Sequence, residues 1–255
     1  MAEITIEQHL RGVLARHAVD TGANSPVRGV QATLASVLGK WAQQYLVEVR
    51  PSGSFAKGTA VRGGTDIDIF VSLSSTLTTS LSQIFDTLFN ALTGAGYSAR
   101  RQNVSVGITA GNWKVDVTPG RRQDQHGNYH SLWSNRAGGW LQTNVNEHCR
   151  IVTGSGRLDE IRLMKIWRNR HALDWPSFYL ELFVIAALHG ARRGNLQSNM
   201  VTALRAVGDT IGSRRLVDPA NTNNVVSDTL TAQGKAALAT AARTALNNPW
   251  NVVFQ

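Results

Sequence analysis

Apolar side chains recur along this chain with two different periods. Three- and four-residue steps mark helices over residues 4–18 and 26–45; in the second, Val30, Leu34, Val37, Leu38 and Trp41 form one stripe. Residues 46–50 and 66–73 read as strands, separated by a turn at 52–59 that contains Gly53 and Ser54. Helical spacing returns over 77–93, with Leu81, Ile84, Phe85, Leu88, Phe89 and Leu92 on one side, and the Gly94–Gly96 stretch ends it. Two further strands are expected at 98–109 and 112–118, joined by a turn at Ala110-Gly111, and residues 120–139 are polar and loop-like. Beyond them, 141–152, 157–171, 177–191, 197–211 and 227–246 all carry the helical period. The pattern predicts an α+β fold, a mixed sheet with flanking helices followed by a helical bundle. The expected domains are 1–130, including the long N-terminal helix, and 131–255.

Three acids break the strand pattern. Side chains alternate across a strand, so Asp66 and Asp68 share one face while Ile67, Ile69 and Val71 take the other. Two carboxylates spaced by two residues sit about 7 Å apart at their Cα atoms and repel each other. Burying them unpaired is unfavourable, and a hard divalent cation such as Mg²⁺ relieves the repulsion. A third acid, Asp116, lies between Val115 and Val117 in the segment NWKVDVTPG, where a core residue is usual. Three carboxylates can hold two metal ions that clamp an attacking and a leaving oxygen. The turn before the first pair adds to this. Gly53 lets backbone approach a ligand closely, Ser54 supplies a hydroxyl and an amide, and a short helix starting there favours phosphate. Solvent-facing acids on an open sheet are the competing explanation, and three of them in two apolar strands weaken it.

Composition narrows the class. The chain has 255 residues, 42% of them apolar, and no apolar run approaches the ~20 residues a membrane span needs. The first residues show no basic stretch followed by an apolar core, so no signal peptide is expected. The single cysteine, Cys149, excludes an intrachain disulfide and a cysteine-based zinc site, which points to a reducing, cytoplasmic setting. The net charge of +9 is carried largely by arginine pairs at 100–101, 121–122, 192–193 and 214–215. Arginine forks match phosphate oxygens, so a polyanionic partner or substrate competes with a merely basic surface.

With these residues in place, GSFAKGTAVRGGTDIDIFV at 53–71 and the distant Asp116 resemble the signature of the polymerase-beta nucleotidyltransferase superfamily. The sequence is most similar to the branch that holds 2′-5′ oligoadenylate synthases, bacterial cyclic-oligonucleotide synthases related to cyclic GMP–AMP synthase, and archaeal-type CCA-adding enzymes. Two downstream segments support that branch. RLDEIRLMKIWRNR at 157–170 reads as a helix with Lys165 in the apolar stripe of Leu158 and Ile161, where a lysine is either snorkelling or reaching for a phosphate. LDWPSFYLELFVIAAL at 173–188 begins an apolar helix, with Asp174 as a candidate cap and the hydroxyl and amide of Ser177 at its start. By resemblance, Lys165 and Ser177 hold the donor triphosphate and Phe178 stacks on its base, with Tyr179 the rival for stacking. Glu181 is read as structural, pairing with a base such as Arg162. RLVDPANTNNVVSD at 215–228 is similar to a segment that closes the helical domain of this branch; by its own chemistry it is a turn, with Ser227 a helix cap.

The resemblance implies a nucleotidyltransferase palm, an active site in the cleft between the two domains, and two Mg²⁺ ions, with Mn²⁺ as an alternative, on Asp66, Asp68 and Asp116. Gly53, Ser54, Lys165, Ser177 and Phe178 are the expected nucleotide contacts. It further implies a template-independent enzyme that joins nucleoside triphosphates such as ATP into a cyclic or linear oligonucleotide signal, as in bacterial anti-phage defence. A polymerase extending a DNA or RNA 3′ end, with an oligonucleotide or nucleic-acid acceptor on the basic surface, is the alternative. A catalytically inactive nucleotide-binding relative is the third possibility. No membrane partner is expected. The oligomeric state is not legible.

Overall fold

The structure is a computed structural model that describes residues 4–64 and 66–254. In chain order the helices and strands are α1 (Ile6–Arg16), α2 (Pro26–Ala42), β1 (Leu46–Pro51), the single turn α3 (Gly53–Ala56), β2 (Ile67–Leu73), α4 (Leu81–Gly94), β3 (Arg100–Arg101), β4 (Val106–Ala110) and β5 (Trp113–Arg122). They continue with β6 (His130–Ser134), β7 (Gly139–Thr143), α5 (Val145–Gly154), α6 (Leu158–Arg170), α7 (Ser177–Ala187), α8 (Leu196–Thr210), β8 (Val217–Asp218), β9 (Asn221–Val225), α9 (Ala232–Leu246) and α10 (Trp250–Val253). The helix starts follow local chemistry. Thr5 with Gln8, and Ser80 with Gln83, form capping boxes that satisfy the first amides of α1 and α4. Ser25 caps α2 ahead of Pro26, whose fixed φ suits the first turn.

The chain divides into two compact units, one of Asp20–Lys57 and Thr65–Cys149, the other of Met1–Val19, Gly58–Gly64 and Arg150–Gln255. The first is built on a seven-stranded mixed sheet in the order β1-β2-β5-β4-β3, to which β6 and β7 are added from the end of β5. Among the described residues only β2 and β5 run parallel; the other pairs of this sheet are antiparallel. Helices α2 and α4 cover one face. Leu34, Leu38, Phe85, Leu88 and Leu92 pack there against Ile69, Val71, Val115 and Val117, all at most 1% exposed. Full burial of each such side chain contributes roughly 1.5–3 kcal/mol, which fixes β2 and β5 at the sheet centre and sets which way their alternate residues point.

The second unit is helical. Trp167 of α6, Tyr179 and Phe183 of α7, Met200 and Leu204 of α8 and Leu10 of α1 share one core. Trp175, Tyr179 and Phe183 meet edge to face, with centroids 5.5–6.3 Å apart.

Three differences from the sequence pattern have physical causes. Residues 131–149 stay with the sheet because β6 and β7 extend it, and α1 packs on α6 and α8, so only α2 among the N-terminal helices serves the sheet. Residues 120–139 are a loop only over 123–129 and a turn at 135–138: β5 runs on to Arg122 and β6–β7 form a hairpin. Two of the three inward positions of β6, His130 and Ser134, are polar, which hides the strand period. The 215–228 segment forms a second hairpin, β8–β9, and Ser227 bonds the amide of Leu216 while Thr231 caps α9.

Candidate active site

The centre of the sheet brings two of the three predicted acids side by side. Asp68 and Asp116 are register partners across the parallel β2–β5 pair. Their neighbours Ile67, Ile69, Val115 and Val117 are at most 3% exposed and point to the helix-covered face, so the two carboxylates stand together on the other face. Asp66 lies just before β2 and is exposed. Its charge reaches Asp116: burial first, and then Asp66, raise the Asp116 carboxyl above the usual carboxylate range, against the opposing pull of Gln102 and Arg100. Like charges held this close are what a cation would relieve. The carboxylates are not gathered into a finished cage, since among the described residues no three His, Cys, Asp or Glu side chains converge as metal ligands. The paired register and the coupling of Asp66 to Asp116 fit divalent-ion ligation of the oxygen-donor kind.

The loop before β2 is fastened to this spot. The Ser52 amide donates to the Asp68 carbonyl at 2.8 Å, and α3 begins at the next residue. Gly53 has φ +55, in the left-handed region, and a Cβ there would lie 1.8 Å from Asp68 Oδ2. Glycine is therefore required twice, for its backbone angle and for the approach of the turn to the carboxylate. Ser54 follows half-buried on the same turn.

Sequence patterning does not reveal Gln102. Its Nε2 donates to Asp116 Oδ1 at 2.9 Å, and Ser105 Oγ in turn donates to Gln102 Oε1 at 2.7 Å. The chain Ser105–Gln102–Asp116 orients the acid. No periodicity marks it, because Gln102 and Ser105 sit in the turn between β3 and β4.

The helical unit holds the other candidates. Lys165 is 2% exposed, and its Nζ lies 2.6 Å from Glu181 Oε1 and 2.9 Å from Thr59 Oγ1. Thr59 also donates to Glu181 at 2.6 Å. The partner of Glu181 is thus Lys165 and not Arg162, which turns to the surface and pairs with Asp159 at 3.1 Å. Ser177 is the first residue of α7, with Pro176 rather than Asp174 at the cap position. Its Oγ accepts from Arg168 Nη1 at 3.0 Å, while the same nitrogen donates to the Trp175 carbonyl at 2.7 Å. Arg168 is a second residue that the sequence pattern does not single out; burial lowers its pKa, opposed by the charges of Glu181 and Asp174. Phe178 is half-buried against the helical core. Tyr179 is fully buried between Trp175 and Phe183, which removes it as a stacking platform.

Among the described residues no helix is long and apolar enough to cross a membrane. No family model and no curated protein matches the sequence. Solved structures do match. The chain superposes on CdnC of E. coli MS115-1 with ATP with a TM-score of 0.75 at 22% identity, covering 96% of this chain and 91% of that one. The CD-NTase CdnG of Bradyrhizobium diazoefficiens in complex with GTP gives 0.79 at 15% identity, covering 95% and 90%. A cytoplasmic RNA terminal U-transferase gives 0.65 at 14% identity, covering 98% of each chain. The chain has the mixed α+β fold that CD-NTases and this terminal U-transferase share.

Proposed function

We propose that the protein is a metal-dependent nucleotidyltransferase that joins nucleoside triphosphates, without a template, into a cyclic or linear oligonucleotide signal, in a role such as anti-phage defence. The observation that carries this is the in-register pair Asp68 and Asp116, with the Gly53 turn pressed against Asp68. Neighbours of the same fold solved with ATP and GTP support nucleotide binding.

In the reaction, a ribose hydroxyl oxygen bonds to the α-phosphorus of a nucleoside triphosphate as the bond to the departing pyrophosphate breaks. Divalent ions on Asp66, Asp68 and Asp116, Mg²⁺ or Mn²⁺, supply positive charge to the attacking and leaving oxygens when bound. Asp116 takes the hydroxyl proton; Gln102 engages its Oδ1 and leaves Oδ2 for that task. Gly53 and Ser54 present backbone and hydroxyl donors to phosphate beside Asp68. In the helical unit, Ser177 and Lys165 are the proposed phosphate contacts and Phe178 the base contact. Lys165 must exchange one of its bonds to Glu181 or Thr59 to reach a phosphate.

The test is incubation with labelled ATP, GTP, CTP and UTP plus Mg²⁺, with and without a primer. Primer-independent products are expected, resistant to phosphatase if cyclic and trimmed by it if linear, and they vanish in the Asp66→Ala, Asp68→Ala double variant. A second reading, extension of a nucleic-acid 3′ end, has the terminal U-transferase likeness in its favour. A ladder that grows only from the primer selects it and rejects the first. Absence of pyrophosphate release under every condition selects a binding-only protein.

A further inference from the structure

A groove of about 760 Å³ opens in the sheet unit at the end of the strands remote from the aspartates. On β5, Arg121 pairs with Leu73 at the far end of β2, five positions beyond Asp116. Cross-strand register then carries the groove onto the β6–β7 hairpin: Arg121 pairs with Ser131, which pairs with Gln142, and Trp133 pairs with Trp140. Alternation places Arg121 and Gln123 of and beside β5, and Trp140 and Gln142 of β7, on one face. Leu81, the first residue of α4, also lines the groove.

The chemistry of the lining is specific. Trp140 is 61% exposed, more than Trp113 at 43% or Tyr129 at 37%, whereas its register partner Trp133 is half-buried against the core. Arg121 is already positioned, because its Nη1 donates to the carbonyls of Leu77 and Thr79 at 3.1 and 2.9 Å. Its other guanidinium donors remain for a ligand, and among the described residues no carboxylate lines the groove. The nearby Asp124 is occupied by the amides of His126 and Gly127. Gln123 Nε2 lies 3.2 Å from Ser131 Oγ and 3.3 Å from Gln142 Oε1, which holds two carboxamides beside the indole. An open aromatic face, a fixed guanidinium and adjacent amides are the elements that stack a base, neutralise its phosphate and read its edge. The volume suits one such ligand.

We propose that this groove is a second nucleotide-binding site, taking a planar base carried on a phosphate, with Trp140 stacking on the base and Arg121 contacting the phosphate. The ligand is a free nucleotide or one residue of a single-stranded nucleic acid, and the site does not depend on the activity assigned to the aspartates.

The test measures binding of a labelled single-stranded oligonucleotide about 12 nucleotides long, and separately of AMP, to the full chain. Wild type is compared with Trp140→Ala, Gln142→Glu and Asp68→Asn. Trp140→Ala is expected to weaken binding about tenfold, the loss of one base–aromatic stack, at an unchanged thermal unfolding midpoint. Gln142→Glu, which sets a carboxylate in the groove, should weaken it as much and stands in where Trp140→Ala does not fold. With EDTA present in every arm, so that no divalent ion holds a phosphate at the aspartates, Asp68→Asn should bind as wild type does. Binding of the oligonucleotide with this dependence assigns the ligand to nucleic acid; binding of AMP alone with the same dependence assigns it to a free nucleotide. The proposal is overturned by absence of binding to both probes, by groove variants that bind as wild type does, or by loss of binding in Asp68→Asn.

Discussion

His130 should make the stability of the sheet unit depend on pH in a defined window. The ring is 2% exposed, wedged edge to face against Phe70 with centroids 4.9 Å apart. Arg122 Nε donates to Ser72 Oγ at 3.2 Å, and Ser72 Oγ lies 2.8 Å from His130 Nε2. The Asn128 carbonyl can only accept, so Nδ1, 2.9 Å from it, carries a proton. In the neutral ring Nε2 then accepts from the Ser72 hydroxyl, and it is burial, not the network alone, that favours this form. Burial pushes its pKa down from 6.5 to about 4, the Asn128 bond opposing and the charges of Arg122 and Arg50 reinforcing the fall. The sign follows. Below the unfolded value near 6.5 the unfolded chain takes up a proton that the folded chain refuses, so folding stability is complete above that pH and declines as pH falls towards 4. At about 1.4 kcal/mol per pKa unit, the full shift removes about 3 kcal/mol. The assay is urea unfolding at pH 7, 5.5 and 4 for wild type and His130→Gln. Because the other histidines and the carboxylates titrate in both proteins, the readout is the difference between them. His130→Gln should be the less stable protein at pH 7, and that deficit should shrink by about 3 kcal/mol by pH 4. A deficit that stays constant from pH 7 to pH 4 would refute the neutral, buried assignment.

Three further outcomes are expected. Gly53→Ala puts a Cβ 1.8 Å from Asp68 Oδ2 at φ +55; displacing the carboxylate by an ångström should lower turnover by about 100-fold, read as pyrophosphate release. Gln102→Ala frees Asp116 Oδ1 and should reduce kcat by about tenfold, the value of a hydrogen bond to a charged group, with KM for the nucleotide nearly unchanged; a pure rise in KM would contradict the positioning role. Lys165→Met takes the ammonium from Glu181, which is 0% exposed, and should cost about 3–5 kcal/mol in urea unfolding, with Lys165→Met, Glu181→Leu recovering most of it.

The proposed catalytic acids are legible because they violate a period. Asp68 and Asp116 occupy strand positions flanked by Ile67, Ile69, Val115 and Val117, and a carboxylate in that setting demands a reason on the strand pattern alone. The strands and helices around them are legible for the converse cause, since apolar spacing is what packs α2 and α4 onto the sheet. The hairpin β6–β7 fails on the same logic, because His130 and Ser134 fill inward positions with polar groups that only the Ser72 and Asn103 hydrogen bonds make tolerable. Those bonds join residues distant in sequence, so no local window contains them. Lys165 marks the boundary between the two cases. Its place in an apolar stripe announces that the ammonium needs a partner, but the choice of Glu181 over every other acid is set by how α6 packs on α7 and where the 58–64 segment lies. A misplaced charge in the sequence thus identifies a residue with a task, while the neighbour that decides the task, Gln102 for Asp116 or Glu181 for Lys165, comes from tertiary contact alone. That division explains why the acids can be named from the chain but their tuning cannot, and why the variants that test the site most sharply are Gln102→Ala and Lys165→Met.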